Sequence, residues 1–290
     1  MQNIMVSVIV LTYNQQAYIS QTLNSILMQK TRFTYEILVG DDASTDRTGS
    51  IVRDYAQAYP QIIRPFIREH NLGVTRNLYE LLKYARGKYI ASCEGDDFWI
   101  DPEKLELQIN FLENHPEYSG CTHIARVIDE NGGPLGPEPE WVCQTERFTR
   151  KDFDGVHLPG QPATLVHRNF FLDKAHDYSI IYKANPMVAD RTIALILTLQ
   201  GAIYRFRREM SCYRRLTGAS QSVTSKIFQN NQNVNQMQFE LMKCLEMYAK
   251  DEYGTKINVT RFKLEQFVKW KIKAVLCVLS SFGGTAWIKK

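Results

Sequence analysis

The sequence predicts an α/β protein: a mostly parallel, twisted sheet sandwiched by helices, with a helical C-terminal extension. Three observations predict it. Short β-branched runs alternate regularly with amphipathic helical patterns through the first 115 residues, the signature of a doubly wound parallel sheet. The first run, Val6-Ser7-Val8-Ile9-Val10-Leu11-Thr12, is almost continuously apolar, as a strand buried on both faces is. Polar clusters recur just after the strands, at the carboxyl ends where such sheets place ligands.

The elements follow in order. After Val6–Thr12 and Tyr13-Asn14 comes a helix through Tyr18, Leu23, Ile26 and Leu27. Glu36–Gly40 is a second strand ending at Asp41-Asp42-Ala43-Ser44-Thr45-Asp46; Ser44 or Asp46 caps a helix carrying Ile51, Val52, Tyr55 and Ala56 on one face. Ile62–Ile67 is a third strand, followed by Asn71-Leu72-Gly73 and a helix over Thr75–Ala85 that Gly87 ends. Lys88–Ser92 is the fourth strand and leads into Cys93-Glu94-Gly95-Asp96-Asp97-Phe98-Trp99. Asp101 at the N-cap and Pro102 at the first helical position open a helix through Leu105, Ile109 and Leu112. The second half is less regular. Strands are expected at Ser119–Ile128, Ala163–His167 and Ala202–Phe206, with a loop over Asp129–Glu140. Val188-Ala189-Asp190-Arg191 leads a helix that Gly201 ends, a polar helical pattern runs from about Ser225 to Lys250, and a last helix starts near Arg261.

Composition narrows the function. Of 290 residues, 44% are hydrophobic and 23% charged, ordinary for a globular chain. A net charge of only +4 speaks against a nucleic-acid partner. The six cysteines form no CxxC pair, which favours reduced thiols over a zinc site or disulfide framework. The start has no basic n-region, and no apolar run reaches the ~18–20 residues of a spanning helix, so a cytoplasmic protein is expected.

The chemistry centres on Glu94, Asp96 and Asp97. Crowded carboxylates repel, so a chain that gathers them usually has a cation to hold, and all-oxygen ligands favour Mg²⁺ or Mn²⁺. The structural alternative is an acidic turn capping the next helix. No GxGxxG or GxxxxGK[ST] loop is present, which removes the main support for dinucleotide binding and P-loop hydrolysis. Carboxylates can instead accept hydrogen bonds from a base or ribose, while a cation neutralises a diphosphate. That arrangement suits a substituted nucleoside diphosphate, with Asp42 at the base, Asp96 at the ribose and Asp97 at the metal.

These residues resemble the family 2 glycosyltransferases of the GT-A fold. Val6–Asn14 looks like their opening strand, Asp41–Asp46 resembles their DDGSTD segment with Ala43 in the glycine position, and Glu94-Gly95-Asp96-Asp97 is similar to their DxD motif with Glu94 as the first acid. Asn71-Leu72-Gly73, Arg76-Asn77 and Ala85–Ile90 match the stretch before it. The resemblance covers roughly the first 120 residues. It implies inverting transfer of a sugar from a nucleotide-sugar, a UDP- or dTDP-sugar foremost, to a glycan or lipid-linked saccharide acceptor in surface-polysaccharide synthesis. Thr12, Tyr13, Asn14, Asp42, Arg76, Glu94 and Asp96 would bind the donor, and Asp97 with Asp96 the metal. Asp190 matches the family's general base at a helix start; an N-cap or surface acid is the plainer alternative. Arg214 and Arg215, after Cys212-Tyr213, are similar to a YR element and could meet the diphosphate. The implied organisation is a GT-A domain over 1–222, with a nucleotide-sugar half to about 115 and an acceptor half beyond, then the helical extension 223–290.

Some residues carry two readings. Phe98 and Trp99 line an acceptor pocket or belong to the core. His157 and His167 read as ordinary loop and strand histidines. The last helix places Leu264, Phe267, Val268, Ile272, Val275, Leu276 and Leu279 beside Lys263, Lys269, Lys271 and Lys273, so it either packs on protein or rests peripherally on an anionic membrane. Oligomeric state is open, a homo-oligomer included. Two other functions fit less well: a nucleotidyltransferase, whose glycine-rich loop is missing from Thr12–Gln16, and a binding module without turnover.

Overall fold

The computed structural model describes residues 4–216 and 233–282, with side chains as far as Lys273. In chain order the first half consists of β1 (Val6–Thr12), α1 (Ile19–Leu27), β2 (Tyr35–Asp41), α2 (Thr48–Ala58), β3 (Ile63–Ile67), α3 (Val74–Leu82), β4 (Tyr89–Glu94), β5 (Phe98–Trp99) and α4 (Lys104–Asn114). β1 pairs in parallel with β2 and β4, and β2 with β3. The side chains of β1 alternate between two cores: Val6, Val8 and Val10 join one, Ile9 the other. Both faces are therefore covered by helices, which explains the uninterrupted apolar run.

The second half holds β6 (Tyr118–Ile128), β7 (Pro134–Gly136), β8 (Arg147–Phe148), β9 (Val166–Arg168), α5 (Ile180–Lys183), α6 (Asp190–Gln200) and β10 (Ala202–Arg214). Here the sheet becomes mixed. β9 lies antiparallel between β4 and β6, β10 is parallel to β6, and β5 closes the far edge antiparallel to β10. The chain thus leaves β4 through the acidic turn and reappears four strands away, at the other side of the sheet.

Several local expectations are corrected. The helix after the acidic turn starts at Lys104, not Pro102; Asp101 Oδ1 accepts from Glu103 N at 2.9 Å in a tight turn that precedes it. Gly87 does not end α3. A Cβ there would lie 2.4 Å from Ser7 N, so the glycine admits β1 backbone. Asp46, rather than Ser44, receives the Thr48 amide at the start of α2. The Ala163–His167 stretch divides into a 3₁₀ turn, Pro162–Thr164, and β9. β10 runs on through Arg207-Arg208 to Arg214, because Met210, Ser211 and Cys212 are buried beyond the exposed arginines.

α7 (Val234–Tyr253) places Leu241, Met242, Leu245 and Ala249 in the same core as Leu195 and Ile196 of α6. α8 (Thr260–Phe282) packs on α7 through Phe267 and Trp270 against Phe239. Leu264, Val268 and Ile272, four residues apart along α8, are 61%, 46% and 56% exposed. The expected boundary at 222/223 and helix start at Ser225 lie outside the described residues, and Val275, Leu276 and Leu279 lie beyond the described side chains.

Candidate active site

The rim is assembled by backbone bonds between strand ends. Asp42 N donates to Thr12 O at 3.0 Å, and Gly95 N to Leu11 O at 2.9 Å. The ends of β1, β2 and β4 therefore meet, as the three polar clusters require. Gly95 permits this contact: a Cβ there would lie 2.4 Å from Gln15 Oε1 and 2.8 Å from Thr12. Asn14 adopts a left-handed φ of 54°, and its Oδ1 accepts from Thr45 N at 2.8 Å, tying the first cluster to the second. Tyr13 is half-buried beside it.

The acidic turn is held from three sides. The Thr22 hydroxyl of α1 lies 2.7 Å from the Asp97 carbonyl oxygen. Asp97 Oδ1 accepts from Arg214 N at 2.8 Å, and Arg214 Nε donates to Asp96 O at 3.0 Å. The same guanidinium donates to the Asp129 and Glu130 carbonyls and to Gln21 Oε1, and stacks over Tyr18. With its donors so engaged, Arg214 pins the acidic turn, whereas Arg215 is exposed. Trp99 is core, 1% exposed, with Nε1 bonded to Ala163 O; Phe98 is half-buried against Arg214.

Electrostatics follow from this crowding. Burial, then Asp96 and Asp190, push Glu94 up to about 8. Burial and the two neighbouring acids drive Asp97 well above the usual carboxylate range. Burial also raises Asp96, against the opposing pull of Arg214 and a hydrogen bond with Gln15. Asp97 Oδ2 is buried without a hydrogen-bond partner. An orphaned carboxylate oxygen beside two more acids fits a hard divalent cation. Among the described residues no three His, Cys, Asp or Glu side chains form a ready-made cage. A cation here would take one or two carboxylates and complete its shell with water or phosphate oxygens, as Mg²⁺ commonly does.

Asp190 opens α6 on the opposite wall. It is open to solvent yet surrounded by protein, and burial raises its carboxyl against the opposing pull of Arg191. It lines one cavity with Ser92 of β4, and its charge adds to the rise of Glu94 at the end of that strand. Asp42 and Arg76 are placed differently. Both Asp42 oxygens accept backbone amides, Leu72 N at 2.7 Å and Gly73 N at 2.9 Å, fastening that turn to the rim. Arg76 pairs with Glu80 at 3.0 Å and lies over the Tyr182 ring. Sequence reasoning missed Gln15, Gln21 and Thr22, which brace the acids; no local pattern marks them, because their partners lie 70 or more residues away.

A parallel half-sheet with an acidic turn at its rim and a second acid at a facing helix start defines the GT-A class of α/β fold. Residues 7–173 match the family described as Glycosyl transferase family 2, more than half of the chain, and the chain belongs to that family. An uncharacterized protein of Mycobacterium tuberculosis, Rv1520, is 46% identical over 220 residues, covering 72% of this chain and 58% of the relative. The chain thus spans under two thirds of that relative's length. Staphylococcal TarS 1-349 (S. aureus), solved with UDP-GlcNAc, aligns with a TM-score of 0.65 at 21% identity, over 86% of this chain and 67% of TarS 1-349. The mannosyltransferase PcManGT of Pyrobaculum calidifontis, solved with GDP-Man and Mn²⁺, aligns at 0.53 and 16% identity, over 96% and 76%. At these identities the two structures show the fold.

Proposed function

We propose that this chain transfers a sugar from a nucleoside diphosphate sugar to an acceptor hydroxyl, with inversion at the anomeric carbon. The observation that carries the reading is that Asp190 lines one cavity with Ser92 of β4, the strand that ends in the acidic turn, near enough for its charge to raise Glu94. One acid group suits binding of a phosphate-bound cation; the other suits proton removal. Asp190 takes the acceptor hydroxyl proton, the acceptor oxygen bonds to the anomeric carbon, and the bond from that carbon to the diphosphate oxygen breaks. Asp97 and Asp96 would hold Mn²⁺ or Mg²⁺, which supplies charge neutralisation to the diphosphate. Thr12, Tyr13, Asn14, Asp42 and Arg76 would meet the nucleotide, Asp96 its ribose and Arg215 the leaving diphosphate, with Glu94 beside the sugar. The ligands with which TarS and PcManGT were solved support a nucleotide-sugar donor and divalent-metal use.

The acceptor proposed is a glycan or lipid-linked saccharide of a surface polysaccharide. The exposed Leu264, Val268 and Ile272, with exposed Lys271 and Lys273 close by, support peripheral contact with an anionic membrane. Among the described residues no helix is long and apolar enough to cross one.

Thermal shift tests the reading. UDP, dTDP, GDP and CDP are each added with and without Mn²⁺, since a ligand of the folded state raises the midpoint. A Mn²⁺-dependent shift with one nucleotide, lost in Asp97→Ala, is expected. No shift with any nucleotide, and no nucleotide released from nucleotide-sugars on adding acceptor, overturns it.

A further inference from the structure

A cavity of about 70 Å³ lies between α6 and the sheet, directly behind Asp190. Its wall is mostly apolar, with Ile90, Ile193 and Leu197 contributing, and the polar residues Ser92, Thr122, Gln161, His167 and Asp190 also line it. Gln161 is 2% exposed and its Nε2 amide has no hydrogen-bond partner. The His167 ring Nδ1 lies 2.7 Å from the Arg168 carbonyl oxygen. Nδ1 therefore carries the proton, and Nε2 is left as an acceptor.

These features select a ligand group. One ordered water needs about 10–15 Å³, so the cavity holds several heavy atoms. Water could bond the polar side chains but would leave the apolar part of the wall uncovered. A carboxylate would be repelled by Asp190, and a lone hydroxyl would leave the apolar wall uncovered. An acylamino group matches every feature: its methyl meets the wall, its carbonyl oxygen accepts from Gln161, and its N–H donates to His167. We propose that this cavity seats the acetamido group of an N-acetylated hexosamine held at Asp190, an inference that rests on the sugar-transfer reading above. The group belongs either to the donor sugar or to the acceptor, since both meet at the base.

Binding measurements on the whole chain separate these sources. The donor arm compares UDP-N-acetylglucosamine with UDP-glucose, and UDP alone, in the presence of Mn²⁺ by calorimetry. The acceptor arm compares the methyl glycosides of N-acetylglucosamine and glucose, with UDP and Mn²⁺ present, by saturation-transfer NMR. One arm should favour the N-acetylated sugar by roughly tenfold or more, as a site with unpaired buried polar groups discriminates. In the acceptor arm the acetyl methyl should receive the strongest saturation. Gln161→Leu, which removes the amide at similar volume, and Ala194→Leu, which fills the cavity, should each erase the preference and leave UDP affinity unchanged. UDP binding with no preference in either arm, or a preference that survives both variants, overturns the inference and leaves the transferase reading intact. Failure to bind any nucleotide strikes that reading itself, and the cavity inference falls with it.

Discussion

The acidic turn Glu94–Asp97 and the lone acid Asp190 face one cleft but are held in opposite ways. The turn is fastened by Leu11, Thr22 and Arg214, and Asp97 is 1% exposed. Asp190 is solvent-exposed, and among the described residues no other side chain hydrogen-bonds its carboxylate. A group that binds a cation profits from rigidity, since ordering it later would weaken binding. A general base needs a free lone pair that points at the incoming hydroxyl. The difference in restraint therefore separates the binding acids from the reacting one, which the residue types alone do not.

The sharpest break is Asp190→Asn. Loss of a positioned base should lower turnover by about 10²–10⁴-fold while nucleotide and metal binding persist; turnover assays and calorimetry on one preparation check both. The pH profile adds a second reading. Desolvation by the surrounding protein raises the Asp190 carboxyl despite its open face, and the base works only when deprotonated, so activity should be lost on acidification at a pH above the ordinary aspartate range. A profile flat down to pH 4 would assign the proton to another group.

Next in size is Arg214→Ala. Its guanidinium donates to the half-buried Asp96, Asp129 and Glu130 carbonyls and to Gln21, and removing it takes those bonds from the turn. Unfolding free energy should fall by about 1.5–3 kcal/mol, as for loss of hydrogen bonds from a charged group. Mn²⁺ affinity should fall with it. Arg214→Lys should rescue little, because one ammonium cannot reproduce the planar fork. If Arg214→Ala melts normally and loses only diphosphate affinity, the arginine is a substrate ligand and the turn is held by other means.

Where these acids sit in the chain was legible in the sequence; how each is held was not, for a physical cause. β1, β2 and β4 each bury both faces and end in a polar loop, so local periodicity located them and their order put the acids on one rim. Asp190 was reachable through the family resemblance, which implies an acid at a helix start in the second half, and it does begin an apolar helix. Arg214 was singled out for the diphosphate, but its hold on the turn was not legible: its partners Asp97 and Gln21 lie 117 and 193 residues away, and the bond exists only because the chain leaves β4 for β5 at the far edge. The strand expected to stop at Phe206 runs on instead, because register shifts around Glu209 carry β10 past three exposed residues to the buried Met210, Ser211 and Cys212. Gln161 and His167 likewise acquire meaning only from the cavity that α6 completes.

Beneath the pinned turn, Lys104 tests what the rigid region costs. It is fully buried, its Nζ has no hydrogen-bond partner, and it lies 4.1 Å from the Trp99 ring centroid. Burial lowers its pKa to about 7. Between that value and the unfolded value of about 10.4, only the unfolded chain holds the proton, so this residue makes stability rise with pH across that window. Lys104→Met should stabilise the chain by about 1–4 kcal/mol near pH 6, with the gain shrinking towards pH 10. Denaturant melts at several pH values check it. A variant less stable at pH 6 would show that the cation–π contact outweighs desolvation.

The smallest effect is expected at Ala43, where the rim pairs a left-handed backbone with a side chain. Its φ is 62°, a region that costs a non-glycine residue roughly 1–2 kcal/mol. Ala43→Gly removes that strain but gives the unfolded chain more freedom, worth about 0.5–1 kcal/mol in the other direction. The net should be a gain of about 0.5–1 kcal/mol, seen as a rise of a few degrees in the melting midpoint. Nucleotide affinity should hold, because the neighbouring bonds Asn14 N to Ser44 Oγ and Asn14 Oδ1 to Thr45 N do not involve the methyl group. A drop in affinity at unchanged stability would mean that the alanine shapes the nucleotide side of the rim, and that the strained residue there is functional in the way the free acid across the cleft is.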